Sequence, residues 1–209
     1  MALIYEATLV PGKLDLLQAW LPRQEWSAGT DVDRLEKVGT YRFDDPEGEV
    51  GVEAFLLRGG GGPMLHLALT YRAAPLPGAE EHLVGVMEHS VLGTRWVYDA
   101  DADPVWASTL ATAVLTGGSE AELVLDADGS REPLESTVTV RGSGTPGTPV
   151  PAVTEVSCHD EGPLTRISAP GLELSVVHVV GSPVPAGATL TGRWAGGSSG
   201  VLAIAELAG

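Results

Sequence analysis

The sequence predicts an α+β protein in which strands outnumber helices, and three observations carry that expectation. Hydrophobic residues make up 44% of the 209 positions and charged residues 19%, the balance of a chain that buries a core. The 27 Gly and 15 Pro are spread among short alternating segments, as turns between many strands require. Only two stretches carry helical signals, and both lie before Gly118.

The first segment, Ala2 to Leu9, alternates Leu3, Tyr5, Ala7 and Leu9 with Ile4, Glu6 and Thr8, which predicts one strand buried mainly on one face. Pro11 and Gly12 lead into KLDLLQAWL over 13–21, a helix with Leu14, Leu17 and Leu21 on one face, Trp20 close by, and Pro22 as its stop. Strands are expected at 35–43, 49–58, 64–72 and 82–89. The first pair is joined by DDPEG and the second by the glycine run 59–62, and such short connections imply an antiparallel meander. A strand at 94–98 then reaches Asp103 and Pro104, an N-cap and first-turn pair opening a helix that runs to about Thr116 and ends at Gly117.

After Gly118 the segments 121–125, 136–141, 153–158, 172–180, 189–194 and 201–206 read as strands. DADG at 126–129, GSGTPGTPVP, GSPVPAG and AGGSSG separate them. The change in character predicts two units, residues 1–118 and a β-rich subdomain over 119–209, with Gly142 to Pro151 the most linker-like stretch.

The formal charge is 12 − 28 = −16, so nucleic acid and anionic membrane surfaces are repelled, while a basic protein, a metal ion or a neutral sugar stays compatible. One cysteine, Cys158, excludes an intramolecular disulfide, and MALIYEATLV lacks the basic and apolar regions of a signal peptide; a cytoplasmic protein is expected. No apolar run approaches the roughly 20 residues that span a bilayer. A chain of this length builds its core without metal or other cofactor, and none is expected.

Three segments carry a family resemblance: LPRQEWSAG at 21–29, HLALTYRAAPLPG at 66–78 and LVGVMEHSVLGTRWVYDADADP at 83–104. They resemble the N-terminal cap segment of actinobacterial maltokinases, over about the first 118 residues. The resemblance implies a cystatin-like fold, a curved antiparallel sheet wrapped around a helix, and places the protein in sugar or α-glucan metabolism. It does not carry phosphotransfer with it. Lys13 and Lys37 are the only lysines, both in the cap-like half, no HGD-like or HRD-like loop occurs, and the 91 residues after Gly118 are too few for a kinase C-lobe.

Each group that suggests chemistry has a competing structural reading. Asp99, Asp101 and Asp103 alternate as in a calcium loop, but Pro104 stands where the turning glycine belongs and no glutamate closes the loop. Capping is expected there, and no metal. Glycines 59–62 precede a strand instead of a helix, so they read as a hairpin turn and not a phosphate cradle. Cys158, His159 and Asp160 are strand neighbours pointing to alternate faces, a poor arrangement for a catalytic triad.

Glu88 and His89 are the best acid-base and ligand candidates, with His66 and His82 on neighbouring strands able to join them. Trp20 and Trp106 fall on helical faces and read as core. Trp26, in a loop, and Trp194, beside AGGSSG, are the candidates for sugar contact. Tyr71, Arg72, Tyr98, Asp99 and Asp103 read as a structural motif tying strand ends together, with Arg72 pairing a carboxylate such as Asp99 and Asp103 capping the helix.

No residue is assigned a catalytic role. Two functions follow: an accessory or regulatory module docking on a partner protein, such as a sugar kinase or an α-glucan enzyme, or a sugar-binding protein with or without an activity of its own. An exposed apolar patch would favour the first, and a concave pocket lined with Trp and carboxylates the second.

Overall fold

The computed structural model describes residues 2–127 and 130–208. In chain order its elements are β1 (Ala2–Tyr5), β2 (Leu9–Val10), α1 (Lys13–Trp20), β3 (Leu35–Phe43), β4 (Gly51–Gly59), β5 (Met64–Arg72), β6 (Leu83–His89), β7 (Gly93–Asp99) and α2 (Pro104–Thr116). Then come β8 (Leu123–Ala127), β9 (Ser130–Leu134), β10 (Thr139–Gly142), β11 (Ser157–Glu161), β12 (Leu164–Ala169), β13 (Leu172–Val177), β14 (Ala188–Trp194) and β15 (Ser198–Leu207). The fold is mixed α+β and mostly strand.

A curled antiparallel sheet of order β2-β6-β7-β5-β4-β3 forms the first half. Strand alternation gives it two apolar faces. Phe55, Leu57, Leu65, Leu67, Leu69 and Val97 take one face and pack against Leu16, Leu17 and Trp20 of α1. Tyr41, Phe43, Val52, Ala54, Leu56 and Ala68 take the other and pack against Trp106, Leu110 and Val114 of α2. A second six-stranded sheet, β10-β14-β15-β13-β12-β11, closes over the far side of α2 with Val140, Ile167, Leu174, Val176, Leu190 and Leu202. The helix is therefore enclosed between two sheets, and one core cluster runs across residue 118.

The termini of α2 form as its sequence predicts. Asp103 accepts from the Val105 amide, Pro104 occupies the first turn, and Gly117 ends the helix at φ 70°, a left-handed conformation that glycine tolerates best. Beyond it, the Gly144 and Thr145 amides bond to the carbonyls of Val114 and Leu115. The approach requires glycine, because a Cβ on Gly142 or Gly144 would stand 1.9 Å from a carbonyl oxygen of α2. The stretch that reads as a linker in the sequence is thus fastened to the helix end.

Three expectations are corrected. Residues 2–9 are not one strand: β1 pairs in parallel with β8 in a three-stranded sheet with β9, while β2 joins β6 at the edge of the large sheet. An alternating pattern fixes faces but says nothing about which partner each half takes. The meander ends at β5, whose next neighbour is β7, because residues 73–82 carry the chain past that position before β6 begins; the Leu76 amide bonds to the Tyr98 hydroxyl on the way. Strands β9 and β12 were not anticipated. Every residue of β9 is exposed and Pro133 lies within it, so it has no buried face to reveal it. The turn expected at 126–129 lies partly outside the described residues.

Candidate functional site

The concave α1 face of the large sheet is longer than the helix that covers it. α1 begins at Lys13, and beyond that point the face continues as Gly51, Tyr71, Arg95, Met87 and His89. The N-terminal segment, with Leu3 and Tyr5, stands over this end and leaves a cavity of about 660 Å³. Gly51 helps keep the floor open: it pairs with Tyr71, and a Cβ there would already touch that side chain at 3.4 Å.

Glu53, buried behind the lining, ties together Lys13, Arg42 and Tyr71 on the polar side of the cavity. Its position in β4 alternates with Phe55 and Leu57, so the strand directs a carboxylate into an otherwise apolar face. Lys13 Nζ, Arg42 at 3.0 Å and the Tyr71 hydroxyl at 3.1 Å all donate to Oε2. Burial favours the neutral acid, yet Arg42 and Lys13 outweigh it and hold Glu53 below the ordinary carboxylate range. Lys13 also lies 5.2 Å above the Tyr71 ring. Of the three basic side chains that the described residues bring to the cavity, Lys13, Arg42 and Arg95, the first two are therefore committed to one acid.

His89 ends β6 with Nδ1 accepting from the Val91 and Leu92 amides at 3.2 and 3.1 Å, which places its proton on Nε2. Burial and then Arg95, with Lys13 and Arg42, depress its proton affinity. The Tyr5 ring meets it edge-on, with centroids 6.2 Å apart.

A second cluster is buried where the two six-stranded sheets meet. The β-bridge Leu65 to Val179 and the His66 amide on His178 O join them. His178 donates from Nδ1 to His66 O, and its Nε2 faces Thr165 at 2.8 Å and Asp101 Oδ2 at 3.1 Å. Asp101 Oδ2, though within ion-pair distance of His178, is buried without a hydrogen-bond partner among the described residues. Burial alone would lower His178, but Asp101 and Asp99 more than offset it and raise its pKa. Burial and the Asp101 charge push Asp99 up to about 8. His66, between Tyr41 Oη at 2.9 Å and Val177 O, is driven down to about 3 by burial and by His178.

The residues singled out in the sequence divide between these places. Tyr71 and His89 line the cavity. Glu88 faces the opposite side of the sheet, where it accepts from Thr94 Oγ1 at 2.8 Å. His66 and His82 do not join His89, since one is buried at the sheet junction and the other lies against Cys158 at 3.9 Å. Trp26 is buried, its ring stacked 4.1 Å from that of His178, so it belongs to the core and offers no face to a ligand. Trp194 is half-buried against the core of the second half.

Arg72 pairs with Asp103 through two bonds of 2.7 Å and not with Asp99. Register decides this: Asp99 lies opposite Leu69 on the α1 face, whereas Arg72 lies opposite Trp96 on the other. Asp99 caps the turn at 100–102, and the Tyr98 hydroxyl holds the 73–82 connection. Cys158 is a free thiol that burial and nearby acids raise to about 12, and it shares no proton with its neighbour His159, which bonds Glu161. Among the described residues no group of three or more His, Cys, Asp or Glu is arranged to hold a metal.

Sequence reasoning missed Glu53, Arg42, Arg95 and His178, and read Asp101 only as part of an acidic run resembling a calcium loop. Glu53 left a signal, an acid at a core-facing position of an apolar strand, and His178 left the same signal within Leu172 to Val180.

No curated protein matches the chain. A family model described as the maltokinase N-terminal cap domain matches residues 20–103, from the last residue of α1 through β3–β7 to the N-cap of α2. Over residues 20–103 the chain is thus similar to the maltokinase N-terminal cap domain.

Proposed function

We propose that the protein is a non-catalytic accessory module that docks on a partner protein of sugar or α-glucan metabolism in the cytoplasm. The observation that supports this reading is an apolar face left uncovered at the β2–β6 edge. Val10 and Val86 are 62% and 41% exposed, and strand register sets them on the same face as the half-buried Trp96. Val91 and Leu92 extend the apolar surface around the adjoining turn at 55% and 41%. On the rest of this face α2 and the second sheet supply the cover. Several large apolar side chains gathered at one edge are what a docking surface offers. The burial of Trp26 removes one of the two indoles on which a sugar platform was expected.

The test is affinity capture from the organism of origin with the wild-type chain and with Val10→Asp/Val86→Asp. Retention of a specific enzyme of sugar metabolism by the wild type and its loss in the variant, with unchanged melting, is the expected result. A wild type that retains none, or a variant that retains the same partner equally, would overturn the reading. Sedimentation of the purified chain separates a second copy as occupant from a different protein.

A further inference from the structure

The cavity on the α1 face holds a cation that no carboxylate among the described residues pairs with. Arg95 lines the cavity and is half-buried, and its hydrogen bond is a 3.4 Å contact with the carbonyl of neighbouring Thr94. Among the described residues no carboxylate comes within ion-pair distance of it. In a chain with 28 acids against 12 basic residues, a shielded guanidinium would ordinarily find a carboxylate. Lys13 and Arg42 in the same cavity have done so, through Glu53.

His89 stands diagonally across the β6–β7 pair from Arg95, with Gly93 directly opposite and therefore no side chain between them. Its Nε2–H has no role in the turn that holds Nδ1. Two directed donors thus converge on one end of a cavity whose nearby walls include Leu9, Met87 and Tyr5. The acids that also line it, Asp44, Asp45 and Glu49, belong to the β3–β4 turn, and Asp45 accepts from the amides of Glu47, Glu49 and Val50. The depressed proton affinity of His89, to which Arg95, Lys13 and Arg42 all contribute, agrees with a positive local potential at the β6–β7 end despite the net charge of −16.

We propose that this cavity is a binding site for a small organic anion, whose phosphate or carboxylate head is held by the Arg95 guanidinium and the His89 Nε2–H and whose body lies against Leu9, Met87 and Tyr5. The volume lies within the range of small-molecule sites and exceeds what a bare inorganic anion fills. A guanidinium fork suits either oxyanion. The site lies on the opposite face of the sheet from Val10 and Val86 and meets the docking surface only at Leu92, so its test does not depend on the docking reading.

Calorimetric titration of the full chain at low salt with phenyl phosphate, benzoate and neutral benzyl alcohol tests it. One anion should bind saturably at one site per chain and weaken with added salt, while benzyl alcohol gives no saturable heat. Phenyl phosphate alone would assign the head as phosphate, and benzoate alone as carboxylate. Arg95→Gln should lower the affinity at least about tenfold, the loss of one charged contact. Glu88→Gln, on the opposite face, should leave it unchanged. If Arg95→Gln does not fold, the imidazole resonances of His89 in the wild type should still shift on adding the bound anion. Absence of binding by both anions, equal binding of benzyl alcohol, full affinity in Arg95→Gln or unmoved His89 resonances would each overturn the proposal.

Discussion

Asp103 shows how one side chain serves two elements. It is fully buried, caps α2 through the Val105 amide and receives both bonds of Arg72 from β5. Asp103→Ala removes the cap, worth about 0.5 to 2 kcal/mol, and the ion pair, but leaves an Arg72 that reaches solvent. Arg72→Ala leaves a buried carboxylate with only its amide partner. Each should lower stability by about 2 to 4 kcal/mol in urea titrations, and the double variant should lose less than the sum. The cap was legible because Asp-Pro before an apolar run is a local signal. The Arg72 partner was not, since it depends on the register between β5 and β7, and Trp26 was misplaced because a loop position says nothing about a fold back onto His178. A second expectation concerns pH. The folded pKa of Asp99 is raised to about 8 and that of His178 is raised above its ordinary value, so the folded state binds more protons than the unfolded chain above pH 6.5. Stability should therefore fall as pH rises from 6.5 through 8, and the slope should flatten in Asp99→Asn; melting curves at stepped pH measure both.

At the scale of elements, both helices were readable from periodicity and caps, but the order of strands was not. α1 buries Leu16, Leu17 and Trp20, with Leu21 buried just after it and Leu14 only partly covered, so its buried stripe is shifted from the one anticipated. Leu17→Asp would place an unpaired charge against Phe55 and Leu67, a loss of several kcal/mol on the order expected for an unsatisfied buried charge, and soluble expression should fail. Gly144→Ala should cost more than about 2 kcal/mol, because a Cβ 1.9 Å from the Leu115 carbonyl forces the loop off the helix end. A chemical melt indistinguishable from wild type would show that the loop is not held there. The exchange of β6 and β7 was hidden because hydrophobic alternation is the same whichever strand lies next to β5.

For the molecule as a whole, composition and segment pattern pointed to the α+β class, and the resemblance to maltokinase caps agrees with the family-model match over residues 20–103. The cavity was illegible because it is built from β3, β4, β5, β6, β7, α1 and the N-terminal segment, whose proximity is a product of sheet order. The core joins both sides of residue 118, through α2 packed on two sheets, the pairing of β1 with β8 and the bridge at Val179. Calorimetry of the full chain should show one cooperative transition, and a fragment of residues 1–118 should aggregate with Leu110 and Val114 uncovered; two resolved transitions or a stable fragment would separate the halves.

The Gly142 to Thr145 seam also governs the directions from which another protein can arrive. With both flanks of α2 walled and its last carbonyls plugged by main-chain amides, that helix offers a visitor neither a groove nor a vacant end. Traffic is diverted to the β2 edge of the large sheet, where among the described residues no strand pairs with the outer side of a two-residue strand, beside three exposed valines and a leucine.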